Sequence, residues 1–416
     1  MSDPKARRLT AGASLLLVMA ATLITLGVGA AIKAPCAAGD WSDGRQYRRF
    51  CYSDIVPLLG TEHLQGGRIP FLDSCPASPE SQCDEYPILT MYFMRVSAWV
   101  SNDFAGFFYA NAFLLAVLAL VTALMLSVMA GMRAMYFALA PTLLVYAFVN
   151  WDLLAVALAT AATLGYLRRR DAASGVLIGL GAAAKLYPIL LLVPFVLERV
   201  RDRRAKQAIS LAVWTAVAYG VVNLPFAILA PHSWATFFRF NTHRAVDWDS
   251  LWFVACSRLH GGATGCDWSV SLINGLSLVL FIGLAAALYW WRRAREPEFP
   301  RWTFAFPLIA AFLLTNKVYS PQYGLWLLPW FALSLPSLPL FAAFEVADVA
   351  VFLTRFSWFA RLSALGGVPI GAFQVALVVR DAILVLCLVA WVLRSDDDRL
   401  ALPEGALLPS LARLTQ

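Results

Sequence analysis

The sequence predicts an all-α polytopic membrane protein with about twelve spans, within a range of ten to thirteen. Three observations carry that expectation. Of 416 residues, 60% are hydrophobic and only 14% are charged, where a soluble domain carries roughly 25% charged residues. Those apolar residues fall in long blocks. When the blocks are threaded back and forth, the basic residues and the cysteines segregate to opposite sides.

The first block, "AGASLLLVMAATLITLGVGAAI" (11–32), is long enough to cross the roughly 30 Å of hydrocarbon as a helix. Its length, and the absence of a clean cleavage site after it, favour an anchor over a signal peptide. Further candidate spans cover 105–128, 134–149, 151–167, 172–185, 188–198, 207–229, 269–291, 302–315, 322–335, 337–354 and 370–393. Several fall short of the ~20 residues a straight crossing needs. The pairs 172–185 with 188–198 and 302–315 with 322–335 read as broken or re-entrant segments.

The basic runs orient the chain. "KARR" (5–8), Arg133, "RRR" (168–170), "RVRDRRAK" (199–206), "RRAREPEFPR" (292–301) and the tail from Arg394 hold 19 of the 33 Lys and Arg. The positive-inside rule makes their side cytoplasmic. The net charge of +7 therefore reports topology and not nucleic-acid binding. Cys36, Cys51, Cys75, Cys83, Cys256 and Cys266 fall on the other side, as expected of an oxidising face. Sequence proximity favours Cys75–Cys83 and Cys256–Cys266, leaving Cys36–Cys51, although six cysteines allow fifteen pairings. Cys387 sits in the last span as an apolar filler.

Two outer loops are too rich in aromatics to be linkers. In residues 33–104, "DIVPLLG" and "YPILTMYFMRVSAWV" read as short surface helices. Residues 230–268 contain "FRFNTHRAVDWDS" (238–250), with Arg239, His243, Arg244, Asp247 and Asp249. The D-x-D of Asp247 and Asp249 is of a type that holds a divalent ion against a diphosphate. The loop is predicted on the outer side, away from nucleotide sugars, so no metal cofactor is expected. His63, His232, His243 and His260 have no ligand spacing for zinc. Walker A, H-E-x-x-H, G-x-S-x-G and C-x-x-C motifs are absent.

The costly polar residues gather at the outer ends of spans. Asp54, in "RFCYSDIVPLLG" (49–60), fits a helix N-cap or a functional acid. Glu85, ahead of Tyr86 and Pro87, has the same ambiguity. Lys185 and Tyr187, in "AAAKLYPILLLVPF" (182–195), interrupt one apolar run. Asn316, Lys317, Tyr319, Ser320 and Gln322, in "LLTNKVYSPQYGLWLLP" (313–329), interrupt another. A cation at a bilayer-level break snorkels or serves a function. Glu345, Asp348, Arg380 and Asp381 read as pairing between helices, and "DDD" (396–398) as a solvated run. An acid, aromatics and membrane-level cations on one face suit transfer from a lipid-phosphate donor. The cations bind and stabilise the phosphate as it leaves. The acid takes the acceptor's proton.

The chain resembles the GT-C glycosyltransferases, and within them glycosyltransferase family 87. The matching stretches are "CYSDI" (51–55), "EYP" (85–87), "AAAKLYPILLLVP" (182–194), "FNTHRAVDWDSLW" (240–252) and "NKVYSPQYGLWLLP" (316–329). The resemblance implies one GT-C transmembrane domain over 1–416, in a bacterial plasma membrane, with its site on the extracytoplasmic face. It implies Asp54 as general base of an inverting transfer, in the first extracytoplasmic loop. Lys317, Lys185, Arg239 and Arg244 then hold the donor phosphate, and Glu85, Tyr86, Tyr187, Asp249, Tyr319 and Gln322 line the substrate. The implied partners are a polyprenyl-phosphate sugar, most simply mannose, a glycolipid or glycan acceptor, and membrane lipids. A polyprenyl-phosphate-arabinofuranose enzyme, a lipid or sugar transporter and a non-catalytic scaffold are the alternatives.

Overall fold

The computed structural model describes residues 4–76, 83–259 and 266–394, with side chains from residue 12 onward. His260 and Asp396–Asp398 lie outside the described residues. Among those residues the regular elements are all helices, with no strand. In order, the helices are α1 (Pro4–Lys33), α2 (Arg45–Arg48), α3 (Ile55–Thr61), α4 (Ile88–Val100), α5 (Phe104–Ala130), α6 (Met135–Ala138), α7 (Pro141–Tyr146), α8 (Asp152–Leu167), α9 (Asp171–Ala184), α10 (Leu192–Arg201), α11 (Ala205–Leu229), α12 (Pro231–His243), α13 (Leu251–Leu259), α14 (Val270–Arg295), α15 (Ala305–Thr315), α16 (Leu328–Leu333), α17 (Leu338–Leu362) and α18 (Ile370–Leu393).

The twelve expected spans are not twelve clean crossings. Five stretches among the described residues are long and apolar enough to cross a bilayer: Gly12–Cys36, Phe104–Ala138, Ala205–Leu229, Val270–Arg295 and Ile370–Leu393. The expected span 134–149 is instead split between the end of the second of these and the short helix α7. Pro141 starts α7 at its first turn, where a missing N–H costs nothing. The 25-residue α17 is long enough to cross but carries Glu345, Asp348 and Arg355. The two pairs expected to be broken are broken. A 3₁₀ turn at Tyr187–Leu191 separates α9 from α10. Another at Pro321–Trp326 separates α15 from α16. Pro188 and Pro321 at these turns cannot supply the N–H that a continuing helix needs.

Close packing holds the broken helices in place. On α9, a Cβ on Gly175 would meet the Leu211 carbonyl oxygen of α11 at 2.6 Å, and one on Gly179 the Thr215 oxygen at 2.5 Å. Two glycines one turn apart thus let two backbones touch, the small-xxx-small solution used where lipid gives no hydrophobic drive for association. The basic segments meet one another at one end of the bundle. Arg201 donates to the Phe299 carbonyl at 2.9 Å, Glu198 accepts from Trp302 N at 2.7 Å, and Arg394 donates to the Ser334 carbonyl at 3.0 Å. The three cystine bridges, Cys36–Cys51, Cys75–Cys83 and Cys256–Cys266, form as sequence proximity suggests. The short helices α3 and α4 occupy the two stretches of the first loop expected to hold them.

Four buried acids and bases form the expected interhelical network. Arg380 of α18 donates to Asp381 Oδ1 at 2.9 Å, and its Nη1 lies 3.8 Å from Asp348 Oδ1 of α17. Glu345 accepts the Thr142 N–H at 2.7 Å, satisfying an orphan donor in the first turn of α7.

Candidate functional site

The segment 51–54 is pinned from both sides. The Cys36–Cys51 bridge ties it to the end of α1. Asp54 N donates to the Val149 carbonyl at 2.8 Å, and Ser53 Oγ to the Phe148 carbonyl at 2.7 Å. Asp54 occupies the cap position of α3, yet its side chain makes no capping hydrogen bond. Ser53 Oγ accepts the Ile55 N–H at 3.3 Å instead. That overturns the capping reading and explains what the carboxylate is free to do. It accepts from the Tyr52 hydroxyl at 2.7 Å and from Asn150 Nδ2 at 2.8 Å. Asn150 also donates to the Tyr86 hydroxyl at 2.8 Å. Its own carbonyl oxygen accepts the Trp151 N–H, so the amide is held in one orientation.

Asp54 sits on the wall between two cavities. The larger, about 790 Å³, is lined among others by Glu85, Tyr86, Tyr187, Lys185 and Lys317, with Phe237, Phe238 and Phe312 as apolar surface. The smaller, about 370 Å³, is lined by Tyr47, Trp248, Arg355, Phe356 and Phe359 among others. Tyr52, Asp54, Arg244, Ser320 and Gln322 border both.

The second loop is laced onto the broken helix pair. Asp247 N donates to the Lys317 carbonyl at 2.9 Å, Lys317 Nζ to the Thr242 carbonyl at 3.2 Å, and Trp252 Nε1 to the Thr315 carbonyl at 2.9 Å. Lys317 is buried, and no carboxylate pairs with it among the described residues. Burial, with Arg244 nearby, lowers its affinity for a proton. Arg244 lies 3.4 Å from Asp247 Oδ2, a long contact that leaves the guanidinium adaptable.

Several expected site residues take other roles. Lys185 reaches the larger cavity but is neutralised by Asp152 of α8 at 2.7 Å, which also accepts from Trp326 Nε1 at 2.6 Å. Arg239 faces away from both cavities. It is exposed on α12 and donates to the His232 carbonyl of its own helix at 2.6 Å. Asp249 is wholly buried behind the smaller cavity, 3.2 Å from Arg355 Nε, with Arg380 donating to its backbone oxygen at 3.0 Å. Burial raises its carboxyl to about 7, against the opposing pull of Arg355. The D-x-D carboxylates are thus engaged by two different arginines. Tyr319 is not a pocket wall either; it is buried with its ring under Arg380, 3.6 Å from the guanidinium carbon. Tyr187 lines the larger cavity and stacks on Trp326 at 4.2 Å.

Sequence reasoning missed Asn150, Asp152 and Arg355. Each lies in or beside an apolar stretch and becomes polar machinery only through a partner distant in the chain. Arg355 and Asn150 carried one available signal, their isolation among apolar neighbours in "FLTRFSWF" and "AFVNWDLL".

Glu85 faces the larger cavity from the first loop. The loop is shaped by Glu62, which accepts from Asp84 N at 2.8 Å, and by Arg68, which pairs with Asp84 at 2.5 Å. Burial, and then repulsion from Asp54, raise the Glu85 carboxyl to about 7, with Arg244 opposing. A carboxyl raised in the folded state stabilises the fold below its unfolded value, and that contribution is lost as pH rises through about 7. Glu85→Gln is therefore expected to gain thermal stability over the wild type at pH 8.5 and to match it at pH 4. Parallel melting curves that stay the same distance apart at both pH values would refute this.

A family model for glycosyltransferase family 87 matches residues 85–321. No curated protein matches the chain. Among solved structures, the chain is similar to ArnT from Cupriavidus metallidurans bound to undecaprenyl phosphate, at 14% identity and a TM-score of 0.43, over 95% of this chain and 78% of that one.

Proposed function

The chain belongs to glycosyltransferase family 87, within the GT-C superfamily, and from that premise we propose that it transfers a sugar from a polyprenyl-phosphate donor to an acceptor hydroxyl, with Asp54 as the base. One observation supports this above the rest. The Asp54 carboxylate, oriented by Tyr52 and Asn150, lies on the wall shared by two cavities, and the larger of these holds a buried lysine with no carboxylate partner among the described residues.

In the proposed step, the acceptor oxygen attacks the anomeric carbon in line with the departing phosphate. Asp54 takes the hydroxyl proton, and the polyprenyl phosphate leaves with the electron pair of the broken C–O bond, inverting the anomeric centre. A single phosphodiester carries one negative charge, which Lys317 and the adaptable Arg244 meet without a divalent ion. Lys185 is spoken for by Asp152, so it shapes the site and does not neutralise the donor. Glu85, Tyr86 and Gln322 line the larger cavity, and in this reading they hydrogen-bond the transferred sugar.

We take mannose as the sugar, a glycolipid or glycan as the acceptor, and the extracytoplasmic leaflet of a bacterial plasma membrane as the setting. The basic segments cluster at one end, and cystines flank the catalytic loop, which fits that orientation. The direct test incubates purified protein with labelled polyprenyl-phospho-mannose and glycolipid acceptors and analyses the product. An α-linked mannosylated product from the β-linked donor is expected. A product from polyprenyl-phospho-arabinofuranose alone would change the sugar, and no product from any lipid-phosphate donor would sink the reading. Lys317→Gln is expected to cost about 10- to 100-fold in kcat/KM for the donor, the worth of one charge-assisted hydrogen bond. An unchanged donor kcat/KM would remove Lys317 from phosphate binding.

A further inference from the structure

We propose that Lys33, in the last turn of α1, is a positioning residue for Asp54: it holds the turn at Phe50 in place and so sets where the segment 51–54 presents its acid. The inference rests on the transfer reading above. Lys33 lies near the end of the first span, Gly12–Cys36, with 1% of its surface exposed. A lysine at the end of a membrane helix ordinarily snorkels to water or turns to the last carbonyls of its own helix. Lys33 does neither. Its Nζ donates to the Phe50 carbonyl of the first loop at 3.4 Å and lies 4.8 Å from the centre of the Phe352 ring of α17. No carboxylate pairs with it among the described residues.

A buried ammonium with one long hydrogen bond and one aromatic face is poorly compensated for the water it has lost. Packing alone gives no reason to keep it, because an apolar side chain of similar length would fill the slot without that penalty. What the ammonium holds is a turn that the backbone resists. Phe50 has a φ of +55°, a left-handed conformation that a bulky side chain rarely adopts. The next residue, Cys51, is bridged to Cys36. Lys33 and Cys36, at the end of α1, thus grip two consecutive residues of the loop. On the far side, Asp54 N is tied to the Val149 carbonyl at 2.8 Å. The segment is fixed at both ends, and the aim of the Asp54 side chain follows from where those ends are held.

The second contact of Lys33 leads to the same carboxylate. Phe352 packs edge-on against Phe356 at 4.9 Å, Phe356 packs against Tyr52 at 5.1 Å, and the Tyr52 hydroxyl donates to Asp54 at 2.7 Å. Phe352 also packs on Phe50, with centroids 6.3 Å apart. Lys33 therefore acts on Asp54 by two routes, the backbone through Phe50 and the rings through Tyr52, and the charge of Asp54 is felt at its ammonium. Lys33 lines neither cavity. Its loss is expected to slow the chemical step without weakening the binding of either substrate.

The test uses the full chain in detergent, with polyprenyl-phospho-mannose as donor and octyl α-mannoside as acceptor. Lys33→Met is expected to lower kcat about tenfold with both KM values within about twofold of wild type. Its thermal midpoint is expected to be no lower than that of wild type, since an apolar group replaces an uncompensated charge. Lys33→Gln is the second variant, with the same kinetic outcome expected. A folded variant with kcat within about twofold of wild type, or with a raised KM in place of a lowered kcat, overturns the proposal. So does a lowered midpoint or a failure to fold in both variants, because Lys33 is then structural only. Hydrogen exchange reads the tether without turnover. In Lys33→Met the amides of residues 50–55 are expected to exchange at least about fivefold faster than in wild type, while those of α8 are unchanged. Unchanged exchange at 50–55 overturns the proposal whether or not any donor is turned over. If exchange quickens there but the wild type transfers from no lipid-phosphate donor, the tether stands and the transfer reading alone fails.

Discussion

Asp54→Asn is expected to lower transfer by about 10²- to 10⁴-fold, the usual contribution of a positioned general base, while the protein stays folded. The substitution keeps shape and volume, so the cavities remain. An asparagine oxygen facing Tyr52 still accepts its hydroxyl. Its amide nitrogen then faces Asn150 Nδ2, which donates to the native carboxylate at 2.8 Å. Asn150 cannot turn its amide over without losing the bond between its oxygen and Trp151 N. Two donors facing each other cost about 1 kcal/mol of stability, a small change beside the loss of the base. The measurement is the transfer rate at saturating donor and acceptor, paired with thermal unfolding of the same preparation. A folded Asp54→Asn protein retaining more than a tenth of the wild-type rate would falsify the role of Asp54.

Arg380→Met is expected to destabilise the protein by about 3–5 kcal/mol, the cost of breaking a buried ion pair from one side. Arg380 is fully buried and holds Asp381, Asp348 and the Asp249 backbone oxygen together over the Tyr319 ring. Methionine fills similar space but leaves Asp381 and Asp348 without their cation among apolar helices. The damage also reaches the site. Asp249 holds Arg355, and Arg355 lines the smaller cavity. Adding Asp381→Asn to Arg380→Met should recover part of the loss, since the uncompensated acid is removed as well. Denaturant midpoints in detergent measure both. A loss under about 1 kcal/mol in the single variant would show that this cluster carries little of the fold's stability.

The legible part of the site was its local part. Lys185 and Lys317 stand at breaks that proline and tyrosine announce in the sequence, and the structure breaks the helices there. Asp54 was visible as an acid between a cystine and an apolar turn. Whether it capped α3 or faced a cavity was not, because the choice depends on Ser53 and on a turn near residue 149. Arg239 and Arg244 lie in one loop and look alike in sequence. Helix α12 extends through His243, so Arg239 falls on its exposed side while Arg244, just past the end, reaches both cavities.

By itself, then, the sequence determined the apolar blocks and the proline-marked breaks, which depend on neighbours a few residues apart, the cystine loops, which close over 8 to 15 residues, and the family, which an ordered set of motifs marks. Tertiary structure alone decided which polar groups are already engaged, and by what. Asp152 for Lys185, Asn150 for Asp54 and Asp249 for Arg355 are separated by 33, 96 and over 100 positions. No local pattern encodes such meetings; the packing of helices against one another brings them within hydrogen-bonding reach.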